Sequence, residues 1–123
     1  MMTTAVDSAT GSGPLAPISE LCDGEVSFRA EGQRQFIYME GLHFTVSGTP
    51  RVMDALLCLN HDNPTYPTKL YLPEQVGLGL NWNETAAFLN RAWHTWSWRD
   101  VSPDQSPIEI LAAHLAAFEP KVA

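Results

Sequence analysis

Between residues 25 and 73 the chain is a succession of β-type runs separated by short Gly- and Pro-containing turns, and this order constrains its fold more than any other feature. EVSFRAE (25–31) alternates strictly, with Val26, Phe28 and Ala30 on one face and Glu25, Ser27, Arg29 and Glu31 on the other, the pattern of a half-buried strand. GQR (32–34) supplies a turn, and QFIYMEGLHFTV (35–46) continues with β-branched and aromatic residues. Gly41 in its middle predicts a bulge or a break between two strands. SGTP (47–50) turns the chain again before RVMDALLCLN, whose continuous apolar run from Ala55 to Leu59 predicts a strand in the centre of the sheet. A helix is the competing reading of that run, and the tight Gly and Pro bounds favour the strand. HDNPTYP (61–67) must leave the sheet, because Pro64 and Pro67 lack a backbone donor and restrict the residue before them. TKLYLP (68–73) is then a short strand ended by Pro73.

The last third reads as helical. From Asn83 as N-cap, ETAAFLNRAW puts Ala86, Leu89 and Trp93 on one face with Phe88 and Ala92 beside it, which predicts a short amphipathic helix. Ser106-Pro107-Ile108-Glu109 is a capping box with Pro at the first helical position. Ile108, Leu111, Leu115 and Phe118 follow on one face, and Pro120 limits extension. The expected architecture is α+β, an antiparallel β-meander of three or four strands covered by a C-terminal helix in two layers. Residues 1–17, rich in Thr, Ser, Gly, Ala and Pro, read as a flexible N-terminal tail, which leaves 18–123 as a single domain.

Composition narrows the function classes. A chain of 123 residues, 45% hydrophobic and 17% charged, has material for one modest core. Lys and Arg total 7 against 14 Asp and Glu, and no basic run occurs, so neither nucleic acid nor an anionic membrane is the expected partner. A basic protein partner suits this balance better. The first residues lack the charged and apolar regions of a signal peptide, and no 18 apolar residues run together, so a cytoplasmic protein is expected. Cys22 and Cys58 are too few and too distant in sequence for a disulfide scaffold and read as reduced thiols. With no CxxC or HxxxH pair and no Gly-rich phosphate motif, no metal or cofactor is expected. Asn83-Glu84-Thr85 matches a glycosylation sequon that carries no meaning without secretion.

Few residues bear chemistry. Cys58 is a possible nucleophile with His61 as its base, since an imidazole three residues away would raise the thiolate fraction. Against that, a cysteine in the apolar LLCL run reads as a small buried hydrophobe. Cys22 stands beside Asp23, whose charge disfavours a thiolate. His43, His94 and His114 fall on separate elements, His114 as a satisfied histidine at the helix boundary. NRAWHTWSWRDVSP (90–103) sets Trp93, Trp96 and Trp98 close together, as core that pins the helix to the sheet or as a surface that anchors a partner.

Tyr66-Pro67, the short strand after it, and Arg91-Ala92-Trp93-His94-Thr95-Trp96-Ser97 ahead of an amphipathic helix carry a resemblance. Over about half the chain this order resembles the ubiquitin-conjugating-enzyme (UBC) fold, and in particular its bacterial branch, found in operons with ubiquitin-like proteins, activating enzymes and deubiquitinase-like peptidases. The resemblance implies a UBC-like two-layer domain in a bacterial ubiquitin-like conjugation system, with a link to antiphage defence. Its partners would be a ubiquitin-like protein and its activating enzyme, with Tyr66, Trp93, Trp96 and Trp98 as partner contacts. If catalytic, it would be a transferase working through a cysteine thioester. The chain departs from that pattern, because residues 59–123 contain no cysteine and Cys58 precedes Tyr66-Pro67. A noncatalytic variant is therefore expected, with Cys58 and His61 as the remote catalytic pair. The alternative is a small protein-interaction or assembly module unrelated to ubiquitin-like chemistry.

Overall fold

The alternating runs form one four-stranded antiparallel sheet in the order β1 (Val26–Glu31), β2 (Arg34–Val46), β3 (Thr49–Cys58), β4 (Lys69–Tyr71). The computed structural model describes residues 13–61, 64–76 and 80–119. A bulge in β2 decides which side chains meet. Ile37 and Met39 occupy odd positions and Leu42, Phe44 and Val46 even ones, so an unbroken strand would send the two sets to opposite faces. The register shifts between Met39 and Leu42, with Met39 opposite Ala55 and Leu42 opposite Met53, and all five pack in the same core. Gly41 makes the shift at φ 67°, its N–H donating to Asp54 Oδ1 at 2.9 Å. A Cβ there would stand 2.9 Å from Cβ of Asp23.

Both faces of the sheet are covered. On one, strand residues from Val26 to Leu72 pack with Leu15, Ile18, Trp96, Ile110, Leu111 and Phe118. Leu15 and Ile18 come from a turn at Gly13–Leu15 and the short helix α1 (Ala16–Ser19), the last three from α2 (Pro107–Leu115) and the turn Ala116–Phe118. On the other face Phe36, Leu56, Cys58, Tyr71 and Trp93 form a second cluster. The run Ala55–Cys58 is continuous because alternate members enter different cores, the pattern of a strand buried on both sides. Helix α2 starts as its sequence predicts, with Ser106 extended at the N-cap, Pro107 in the first turn, and Glu109 Oε1 accepting from the Ser106 N–H at 3.1 Å. No helix among the described residues is long and apolar enough to cross a membrane.

Three expectations are corrected. Residues 84–93 are not helical: β5 (Glu84–Phe88) and β6 (Arg91–Thr95) make an antiparallel hairpin with Ala86 opposite Trp93. Leu89 and Asn90 turn it with φ 51° and 64°, the two positive values of a tight primed turn, and the Leu89 N–H donates to Glu31 Oε1 at 2.8 Å. Burying Phe88 and Trp93 against Phe36 and Tyr71 outweighs the helical propensity of the alanines. Two hydrogen bonds between the backbones of Leu72 and His94, 2.7 and 2.8 Å, tie the hairpin to the end of β4. Second, the domain begins before residue 18, since Leu15 is 1% exposed within the core; residues 1–12 of the expected tail lie outside the described residues. Third, Phe28 shares its face with Val26 but is 57% exposed, because the core that buries Val26 does not extend along edge strand β1 as far as Phe28.

Candidate functional site

At the C-terminal end of β3 the chain meets the β1–β2 turn in a group of polar contacts. Cys58 lies opposite Phe36 of β2 and Lys69 of β4. Beyond it the chain is fastened to the β1–β2 turn. The Asn60 carboxamide accepts from the Gln35 N–H (2.8 Å) and donates to Gln33 O (2.7 Å), while the Leu59 N–H donates to Gln35 O (2.9 Å). The His61 N–H donates to Pro67 O at 3.0 Å, closing the base of the Tyr-Pro loop. Arg34 spans the gap, with Nη1 3.3 Å from Asn60 O and 3.4 Å from His61 Nδ1. A guanidinium only donates, so Nδ1 is the acceptor in this contact. These groups border a cleft of about 500 Å³, with Gln33, Arg34, Asn60 and His61 on its polar side and Leu59, Pro67 and Pro103 on its apolar side.

Cys58 and His61 are thus brought to one end of the sheet, but not as a nucleophile and its base. Cys58 is 1% exposed and its Sγ lies 3.8 Å from Asn60 Oδ1, an acceptor that holds the protonated thiol. Burial pushes the thiol up, against smaller opposing effects of the Asn60 backbone and the nearby Arg34 guanidinium. His61 turns Nδ1 to Arg34 instead. Cys22, half-buried and bridged to Leu42, is pushed up to about 11 by burial and then by Asp23. Burial thus disfavours the thiolate of both cysteines, the species that attacks carbonyls or thioesters.

The aromatic candidates divide by burial. Trp93 is 0% and Trp96 2% exposed, and they sit in opposite cores, so neither forms a partner surface. The Trp93 indole N–H donates to Phe88 O at 3.0 Å, and Arg91 lies 4.5 Å above its ring while pairing with Asp54. Trp96 packs against Trp82, Phe118 and His114. Half-buried Trp98 donates its N–H to Ala113 O at 2.8 Å and so ties the Trp stretch to α2. Tyr66 remains at the surface, half-buried, with Lys69 Nζ 5.2 Å from its ring centre; Lys69 pairs with Glu84 at 3.3 Å. The segment is therefore core that pins the helix.

His114 is more deeply placed than a boundary histidine. The Thr68 hydroxyl donates to Val101 O at 2.9 Å and so accepts from His114 Nε2, also at 2.9 Å, leaving Nδ1 buried without a partner. Burial, and then the Lys69 charge, pushes its pKa down to about 4. The imidazole is neutral at pH 7.

Arg34, Asn60 and Gln33 were not marked by any sequence motif. Their convergence depends on the register that sets Glu31 opposite Arg34 and on the Asn60 clamp, neither of which a local pattern encodes. Among the described residues no group of three or more His, Cys, Asp or Glu side chains is arranged to hold a metal ion. Comparison with protein-family models, curated proteins and solved structures returned no match.

Proposed function

We propose that this chain is a UBC-like component of a bacterial ubiquitin-like conjugation system that binds the modifier or its activating enzyme without forming a thioester; a role in antiphage defence belongs to the same reading. The observation that carries the noncatalytic part is the burial of Cys58, which pushes its thiol up, in a chain whose residues 59–123 hold no other cysteine. A transferase cysteine has to meet a bulky thioester at the surface and reach it as the thiolate. The order of elements supports the conjugation part: a meander, a Tyr66-Pro67 loop, a short strand, and a Trp-containing segment leading into a capped helix. That support is a resemblance of order, and binding has to test it. The full chain is titrated calorimetrically with the ubiquitin-like protein and with the activating enzyme encoded in the same genome. Saturable one-to-one binding to either is expected. Absence of binding to both overturns the conjugation reading.

A further inference from the structure

The geometry points to the Arg34 cleft as a binding site for a carboxylate, either the free end of a peptide chain or a small organic acid. Six of the seven Lys and Arg residues are described, and five of them are paired with a carboxylate: Arg29 with Glu25, Arg51 with Glu74, Lys69 with Glu84, Arg91 with Asp54, and Arg99 with Asp100. Among the described Lys and Arg residues Arg34 alone has no carboxylate partner among the described residues; Asn60 O and His61 Nδ1 hold its Nη1. Among the six described Lys and Arg side chains, one without a described carboxylate partner is the exception.

The surroundings suit a ligand. A guanidinium offers five N–H donors in a planar fork that matches a carboxylate edge, and the two contacts on Nη1 orient that fork in advance. The clamp of Asn60 on Gln33 and Gln35 fixes the cleft's polar side, so a ligand meets a preformed surface. A volume of about 500 Å³ exceeds what one carboxylate fills and leaves room for the group that bears it against Leu59, Pro67 and Pro103. This inference does not depend on the conjugation reading, since it invokes no reaction at Cys58 and needs no ubiquitin-like partner.

The test uses the full ¹⁵N-labelled chain and three probes: acetyl-Gly-Ala-Gly as the free acid, the same tripeptide as its C-terminal amide, and acetate. The free acid is expected to shift the amide signals of Gln33, Arg34, Asn60 and His61 in a saturable manner, at least tenfold more tightly than the amide. Arg34→Gln is expected to abolish that preference while the remainder of its spectrum overlays the wild type, which separates loss of the site from loss of the fold. Arg34→Lys keeps the charge without the fork and is expected to bind at least threefold more weakly. A tripeptide acid that binds more tightly than acetate supports a chain terminus; equal binding of the two supports a small acid. Equal binding of acid and amide, or an undiminished preference in Arg34→Gln, overturns the proposal.

Discussion

His114 makes the stability of this domain depend on pH over a window that ordinary surface histidines would not produce. Its imidazole is 1% exposed, bonded through Nε2 to Thr68 and packed edge-on to Trp96, with Lys69 the charge that adds to burial in opposing protonation. The native value is about 4 against an ordinary 6.5, so between these limits the unfolded chain takes up a proton that the folded chain refuses. Stability is therefore complete above about pH 6.5 and falls as the pH drops toward 4. The slope approaches about 1.4 kcal/mol per pH unit and the total loss is about 3 kcal/mol. Urea unfolding followed by tryptophan fluorescence at pH 7.5, 6.5, 5.5 and 4.5 measures it, with His114→Gln as the reference. The variant is expected to be less stable at pH 7.5, so the comparison rests on the two slopes. Glu25 and Glu109, held below the usual carboxylate value by hydrogen bonds, lose their contribution at lower pH and do so equally in both proteins. Parallel stability curves for the two proteins between pH 6.5 and 4.5 would refute the buried, neutral assignment.

Two further substitutions test how the sheet is built. Gly41→Ala forces a side chain into a φ of 67° and against Asp23, and is expected to lower unfolding free energy by about 1–3 kcal/mol, read from urea midpoints at unchanged m-value. Trp93→Ala empties the centre of the core beneath the hairpin and is expected to cost about 3–5 kcal/mol, whereas Trp98→Phe, which loses chiefly the N–H bond to Ala113 O, is expected to cost about 1 kcal/mol in the same assay.

The sheet was legible where local chemistry and tertiary need agreed. Strict alternation from Val26, the Gly41 interruption, the apolar run through Cys58 and the Ser106–Glu109 box each correspond to what the chain does there. The hairpin of β5 and β6 was not legible, because ETAAFLNRAW satisfies two periods at once. Ala86, Leu89 and Trp93 suit a helix, while Ala86 opposite Trp93 and Phe88 opposite Arg91 suit a ladder. Its turn hides as well, since Leu89-Asn90 lacks the glycine that usually marks two positive φ values. Phe28 shows a related limit: alternation assigns a residue to a face but does not say how far along the sheet the covering helices reach. The Arg34 cleft joins three segments remote in sequence, so no single stretch announces it.

If the proposed conjugation reading holds, buried Cys58 carries no activated modifier. The most direct measurement of this incubates the full chain with ATP, the activating enzyme and the ubiquitin-like protein from the same genome, and examines the products by nonreducing electrophoresis and intact mass. The activating enzyme is expected to become charged while this chain keeps its unmodified mass. An adduct that disappears on reduction and is absent from Cys58→Ser would contradict it.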